Sequence, residues 1–130
     1  MSFRELPVIK PELRALGQRL GEERIRAIIH QFYERMATDL LVGFFFAEKD
    51  LGLIAERQSQ FVLRAMGLRP SYTGKSPADA HTALAPILAG HFDRRLVVLD
   101  ETLKANGLDQ NDRQIWIGFE NAFREAIVER

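Results

Sequence analysis

The sequence predicts an all-α fold. Apolar residues recur at three- and four-residue spacing along nearly the whole chain, and no segment sustains period-two alternation. Gly21, Gly43, Gly67 and Gly107 fall where apolar stretches end, as helix punctuation does. The run Leu96-Val97-Val98-Leu99 resembles a strand locally, but it fits the helix period of its surroundings better.

Pro11 and Glu12 open a first helix, with Leu13, Leu16 and Leu20 on one face, and Gly21 breaks it. A second helix runs from about Glu22 to Ala37, with the stripe Ile25, Ile29, Phe32, Tyr33 and Met36. Gly43 turns the chain into Phe44-Phe45-Phe46. A third helix spans about Asp50 to Met66 and presents Leu51, Ile54, Ala55, Phe61, Val62 and Ala65, with Gln58 on the same face. Gly67, Pro70 and Gly74 mark a loop. Ser76 then reads as the N-cap of a short helix, with Pro77 at its first position and His81 inside it, closed off by Pro86. A fourth long helix covers about His91 to Ala105, with Phe92, Leu96, Leu99 and Leu103 on one face. A last one covers about Asn111 to Glu129, with Trp116, Phe119, Phe123 and Ile127 turned inward.

The bulk properties bound the function. A chain of 130 residues, 46% apolar and 28% charged, is expected to be one folded domain over 1–130, with 1–20 as an N-terminal extension and first helix. Eighteen basic and eighteen acidic side chains cancel, so no net charge draws the chain to nucleic acid or an anionic membrane. The absence of cysteine excludes disulfides, thiolate metal sites and thiol catalysis. Three histidines, His30, His81 and His91, are too few for a His-rich zinc or polynuclear centre but enough to ligate one haem iron. Met1 to Lys10 is broken by charges and Pro7 and is no secretory signal, and no apolar run reaches the roughly 18 residues of a membrane span, so the expected compartment is the cytoplasm.

Three polar residues sit on faces that otherwise read as buried: Tyr33, Gln58 and His81. A buried polar group costs free energy unless it is hydrogen-bonded. Each has an ordinary reading: a packed phenol bonded to backbone or water, an amide bonded to a neighbouring helix, a satisfied or surface histidine. The other reading is that all three address one ligand.

Their order along the chain resembles the truncated haemoglobins, most of all group I. The resemblance runs from about Gly21 to the end of the chain. It rests on Phe32-Tyr33-Glu34-Arg35, Gly43-Phe44-Phe45-Phe46, Ala55-Glu56-Arg57-Gln58 with Gln60-Phe61, and Tyr72-Thr73-Gly74 followed by Ala80-His81 and His91-Phe92. It implies a two-over-two helical sandwich around haem b, iron protoporphyrin IX, with His81 as the iron ligand. Phe32, Phe46, Val62, Met66 and Phe92 would line the haem slot. Ile54 would fill the place where many globins carry a distal histidine. Arg57 and Tyr72 would reach the propionates. Tyr33 and Gln58 would donate hydrogen bonds to a bound diatomic ligand. The implied ligands are O2, NO and CO, and the implied chemistry is oxygen binding or O2-dependent conversion of NO to nitrate, which needs an external electron donor. A gas sensor acting through a protein partner, or a helical interaction module without haem, would use the same frame.

The sequence departs from the family in having Leu20-Gly21 rather than a glycine pair before the second helix. It also has Arg95 where relatives place an apolar residue. A guanidinium there is expected to snorkel to solvent or to pair with an acid such as Asp93 or Glu120.

Overall fold

A computed structural model describes residues 10–69 and 86–128. The helices among the described residues are α1 (Pro11–Leu20), α2 (Glu22–Ala37), α3 (Leu51–Ala65), α4 (Ala89–Ala105), α5 (Gln110–Asn121) and α6 (Arg124–Ile127), with a 3-10 turn at Gly43–Phe46. No strand occurs among the described residues. No described helix is long and apolar enough to cross a membrane.

Local chemistry sets the boundaries. Pro11 occupies the first turn of α1, where its missing N–H costs nothing. Gly21 ends α1 at φ +82, a conformation that side-chain-bearing residues avoid, and its N–H bonds to the Gly17 carbonyl at 2.9 Å. α2 begins at the next residue, with Glu22 and Glu23 in its first turn opposing the helix dipole. Asp50 caps α3 by accepting from the Leu53 N–H at 3.0 Å, and Asp109 caps α5 by accepting from the Asp112 N–H at 2.8 Å. α3 closes through Gly67 at φ +79, with the Leu68 N–H reaching back to the Leu63 carbonyl at 2.9 Å.

Two expectations shift. α4 starts at Ala89, two residues before the expected His91, because the His91 Nδ1 accepts the Leu88 N–H at 3.0 Å and caps the extra turn. The last helix is not continuous to Glu129. It breaks at Ala122–Phe123, where the Phe123 N–H bonds to the Glu120 carbonyl three residues back at 3.1 Å. The tighter step sets Phe123 edge-on against Phe61 and Phe119, each at 5.4 Å between ring centroids. The short helix expected around His81 lies outside the described residues.

α2 packs most extensively on α3 and then on α4; α4 packs on α5; α1 lies against α5, α2 and α3. The α2–α3 pair and the α4–α5 pair therefore form the two layers of a two-over-two sandwich. The fully buried side chains between them include Leu16, Ile25, Ile28, Phe32, Leu63, Met66, Leu99, Leu103 and Trp116. α1 approaches α3 closely at Gly17, where a Cβ would lie 2.6 Å from the Met66 Cβ.

Ion pairs pin the layers at their margins. Arg19 of α1 grips Asp112 of α5 with two bonds of 2.9 Å. Arg26 of α2 pairs with Glu56 of α3. Arg94 of α4 bonds to Asp39 at 2.9 Å, and the same carboxylate accepts from the Leu41 and Val42 N–H groups, which anchors the corner before the 3-10 turn.

Candidate functional site

Three buried or half-buried polar side chains, from α3, α4 and α5, meet inside the sandwich. Arg95 of α4 donates through Nη1 to Glu120 Oε2 of α5 at 2.7 Å. Gln58 of α3 donates through Nε2 to Glu120 Oε1 at 3.3 Å. Tyr33 of α2 stands beside this cluster, its ring 5.0 Å from that of Phe32, over which the Arg95 guanidinium lies. Arg95 and Gln58 both donate to Glu120, which ties α4, α5 and α3 together.

The setting is dry. The Arg95 and Glu120 side chains are 17% and 7% exposed, and Tyr33 is 7% exposed. The Arg95 guanidinium lies 5.1 Å from the centroid of the Phe32 ring, a cation–π contact. Burial alone pushes this guanidinium toward losing its proton. The Glu120 charge and the Tyr33 hydroxyl oppose burial and outweigh it, so Arg95 is held above the ordinary arginine range and remains a cation. A pair this buried is tolerable because the partners bond to each other, Gln58 donates to Glu120, and the Phe32 ring faces Arg95.

Aromatic rings wall the cluster. Tyr33 contacts Phe32 at 5.0 Å and Phe46 at 5.8 Å, both edge-on. Phe32 is buried and Phe46 half-buried, as a pocket wall requires. Ile54 is half-buried one helical turn before Gln58, and Val62 is fully buried one turn after it. Phe92 is buried beneath the Arg124 guanidinium, 4.8 Å from its ring.

Other residues fall elsewhere. Met66 is fully buried against Gly17 at the α1–α3 approach. Eight residues beyond Gln58, it has rotated about 80° around the helix and faces α1. Arg57 is exposed, about 100° around α3 from Gln58. Asp93, one of the two acids proposed for Arg95, pairs instead with Arg124 at 2.6 Å. Tyr72 and His81 lie outside the described residues. Glu120 was not singled out as a site residue, although its place four residues after Trp116 puts it on the buried face of α5.

The two described histidines serve other purposes. His91 takes a backbone N–H on Nδ1, so in its neutral form the proton sits on Nε2, leaving no lone pair there for a metal. Its ring is held edge-on by Phe44 at 5.6 Å and Phe45 at 5.1 Å. His30 lies near Glu56, whose carboxyl is held below the ordinary glutamate range mainly by Arg26. The described residues contain no group of three or more histidine or acidic side chains that would cage a metal ion.

The bacterial-like globin family model matches residues 15–129. The chain belongs to the globins. Within them it falls among the group 1 truncated haemoglobins. It is 30% identical to the one from Tetrahymena pyriformis over 88 residues, 68% of this chain and 72% of that protein. It is also 30% identical to one from Chlamydomonas moewusii over 93 residues, 71% of this chain but only 54% of that longer protein. The ferric crystal structure of the Tetrahymena protein superposes with a TM-score of 0.81 at 24% identity, covering 88% of this chain and 98% of that one. The oxygen-avid truncated haemoglobin from Bacillus subtilis superposes with a TM-score of 0.76 at 26% identity and the same coverage. Haem-based binding of small gas ligands is what characterises this family.

Proposed function

We propose that this globin holds haem b between α3 and the segment carrying His81, and binds O2, with NO and CO as further ligands, beneath Tyr33 and Gln58. The observation that carries this reading is the convergence of two hydrogen-bond donors from different helices, Tyr33 and Gln58, in a dry aromatic enclosure.

The residues present fit a flat apolar macrocycle. Phe32, Val62 and Phe92 are buried, and Phe46 is half-buried against Tyr33. His91 is occupied by its backbone bond, and His81 is assigned as the iron ligand from its place after Tyr72-Thr73-Gly74. Tyr72 and Arg57 are assigned to the propionates.

When bound, the haem supplies an iron centre that binds diatomic gases. The chain's own contribution is orientation, polarity and exclusion of water. Tyr33 and Gln58 each carry a proton able to point at an electronegative ligand, and in a low-dielectric enclosure such bonds are strong. Phe32, Phe46 and Val62 keep water from the same space. Retention of O2 suits storage, and it also suits oxygen-dependent conversion of NO to nitrate with electrons from an external donor. The reading places the protein in the cytoplasm, free of membrane and nucleic acid.

The test is O2 dissociation from the haem-loaded protein. Tyr33→Phe and Gln58→Leu are expected to speed it about 10- to 100-fold, the effect of losing a hydrogen bond to a polarised group. Unchanged rates in both variants would overturn the assignment of the donors.

A further inference from the structure

We infer that Arg95 and Glu120 are positioning residues for the ligand donor Gln58: the buried ion pair of α4 and α5 sets the direction in which Gln58 presents its amide proton. This rests on the ligand-binding reading of Tyr33 and Gln58 given above.

Donor and acceptor chemistry fixes the direction, and Glu120 acts on Gln58 directly. Ionised, a carboxylate only accepts, so the amide of Gln58 turns its nitrogen toward Glu120 Oε1. One N–H is spent there, the rotation of the amide is fixed, and the second N–H has a defined direction. The pair itself is held by its 2.7 Å bond, by low exposure and by the Phe32 ring over the guanidinium. Neither member needs to touch the ligand for its loss to be felt there.

Sequence position gives the device its economy. Arg95 borders the apolar stripe of α4 and Glu120 that of α5, so this layer reaches across the sandwich to orient a side chain on α3.

The experiment compares Arg95→Met, the double variant Arg95→Met/Glu120→Leu, Gln58→Leu and Tyr33→Phe as haem-loaded proteins. Two readouts are used: O2 dissociation by stopped flow and the infrared C–O stretch of the carbonyl adduct. The double variant guards against a folding failure of the single one, since replacing both members of a buried pair by apolar residues is well tolerated. Both Arg95 variants are expected to speed O2 dissociation about 10-fold and to raise the C–O frequency in the direction Gln58→Leu does. Adding Arg95→Met to Gln58→Leu should then change little, because the effect runs through that amide. If Gln58→Leu or Tyr33→Phe shifts both readouts and the Arg95 variants match the wild type, the positioning role is overturned and the ligand-binding reading stands. If Gln58→Leu and Tyr33→Phe both leave the readouts unchanged, the ligand-binding reading falls and takes the positioning role with it.

Discussion

Removing Glu120 should destabilise the protein far more than removing Glu120 and Arg95 together. In Glu120→Leu the guanidinium of Arg95 keeps its Phe32 ring but loses its counter-charge, in a place where its side chain is 17% exposed. Breaking one partner of such a pair costs roughly 3–5 kcal/mol, because a desolvated charge is left uncompensated. Partial exposure lets some water reach Arg95, so the low end, about 3 kcal/mol, is the expected loss. Arg95→Met strands Glu120, 7% exposed, with only the Gln58 amide, and the loss should be at least as large. The double variant Arg95→Met/Glu120→Leu removes both charges and keeps the volume, so it should fall within about 1 kcal/mol of the wild type. Equilibrium urea unfolding at one fixed haem saturation measures all three, since bound haem adds to apparent stability. Single-variant losses below about 1 kcal/mol, or a double variant equal to the sum of the singles, would refute the view that the pair is buried and coupled.

Two further outcomes follow from the packing and the margins. Gly17→Ala should cost roughly 1–3 kcal/mol in thermal or urea unfolding, because the new Cβ would lie 2.6 Å from the Met66 Cβ and one backbone must move; a neutral variant would contradict the α1–α3 approach. Stability should fall as pH drops below about 4, because Asp39 and Asp112 are held below the ordinary aspartate range chiefly by hydrogen bonds from Arg94 and Arg19. Folded-state values that are depressed give stability that is present above the unfolded value and lost on acidification. Asp39→Asn should flatten that part of the pH–stability curve, and an unchanged curve would show that the corner is not held by this charge.

How far the fold could be read depended on whether the decisive interaction was local. α2 lies where the stripe and Gly21 put it, because both its boundary signals are within its own sequence. The start of α4 was misplaced because the capping group is a histidine ring reaching back to Leu88, a pattern that ordinary N-cap residues do not show. The break after Asn121 was illegible because Phe119, Phe123 and Ile127 satisfy the helix period whether or not the helix is continuous; the decision is made by Phe61 on another helix.

The site divides in the same way. Tyr33 and Gln58 stood out as polar residues on apolar stripes; Gln58 is in the cluster and Tyr33 stands beside it. Arg95 stood out as a departure from its relatives, and of its two candidate acids geometry selects Glu120. Asp93 lies only two residues from Arg95, on the other side of α4, so helix geometry already disfavoured it. Met66, which the resemblance implies as a slot residue, packs against Gly17 of α1, a contact that the spacing within α3 does not reveal. The bond from Gln58 to Glu120 joins two helices with no sequence signature of their distance, and it becomes visible only once they are packed.

The absorption spectrum of the purified protein and of its three histidine variants tests the assignment of His81 most directly. A Soret band is expected for the wild type, retained in His30→Ala and His91→Ala, with loss of stable haem or of the native ferrous spectrum in His81→Ala alone. A wild type that takes up no haem, or a His81→Ala variant with an unaltered ferrous spectrum, would contradict the assignment.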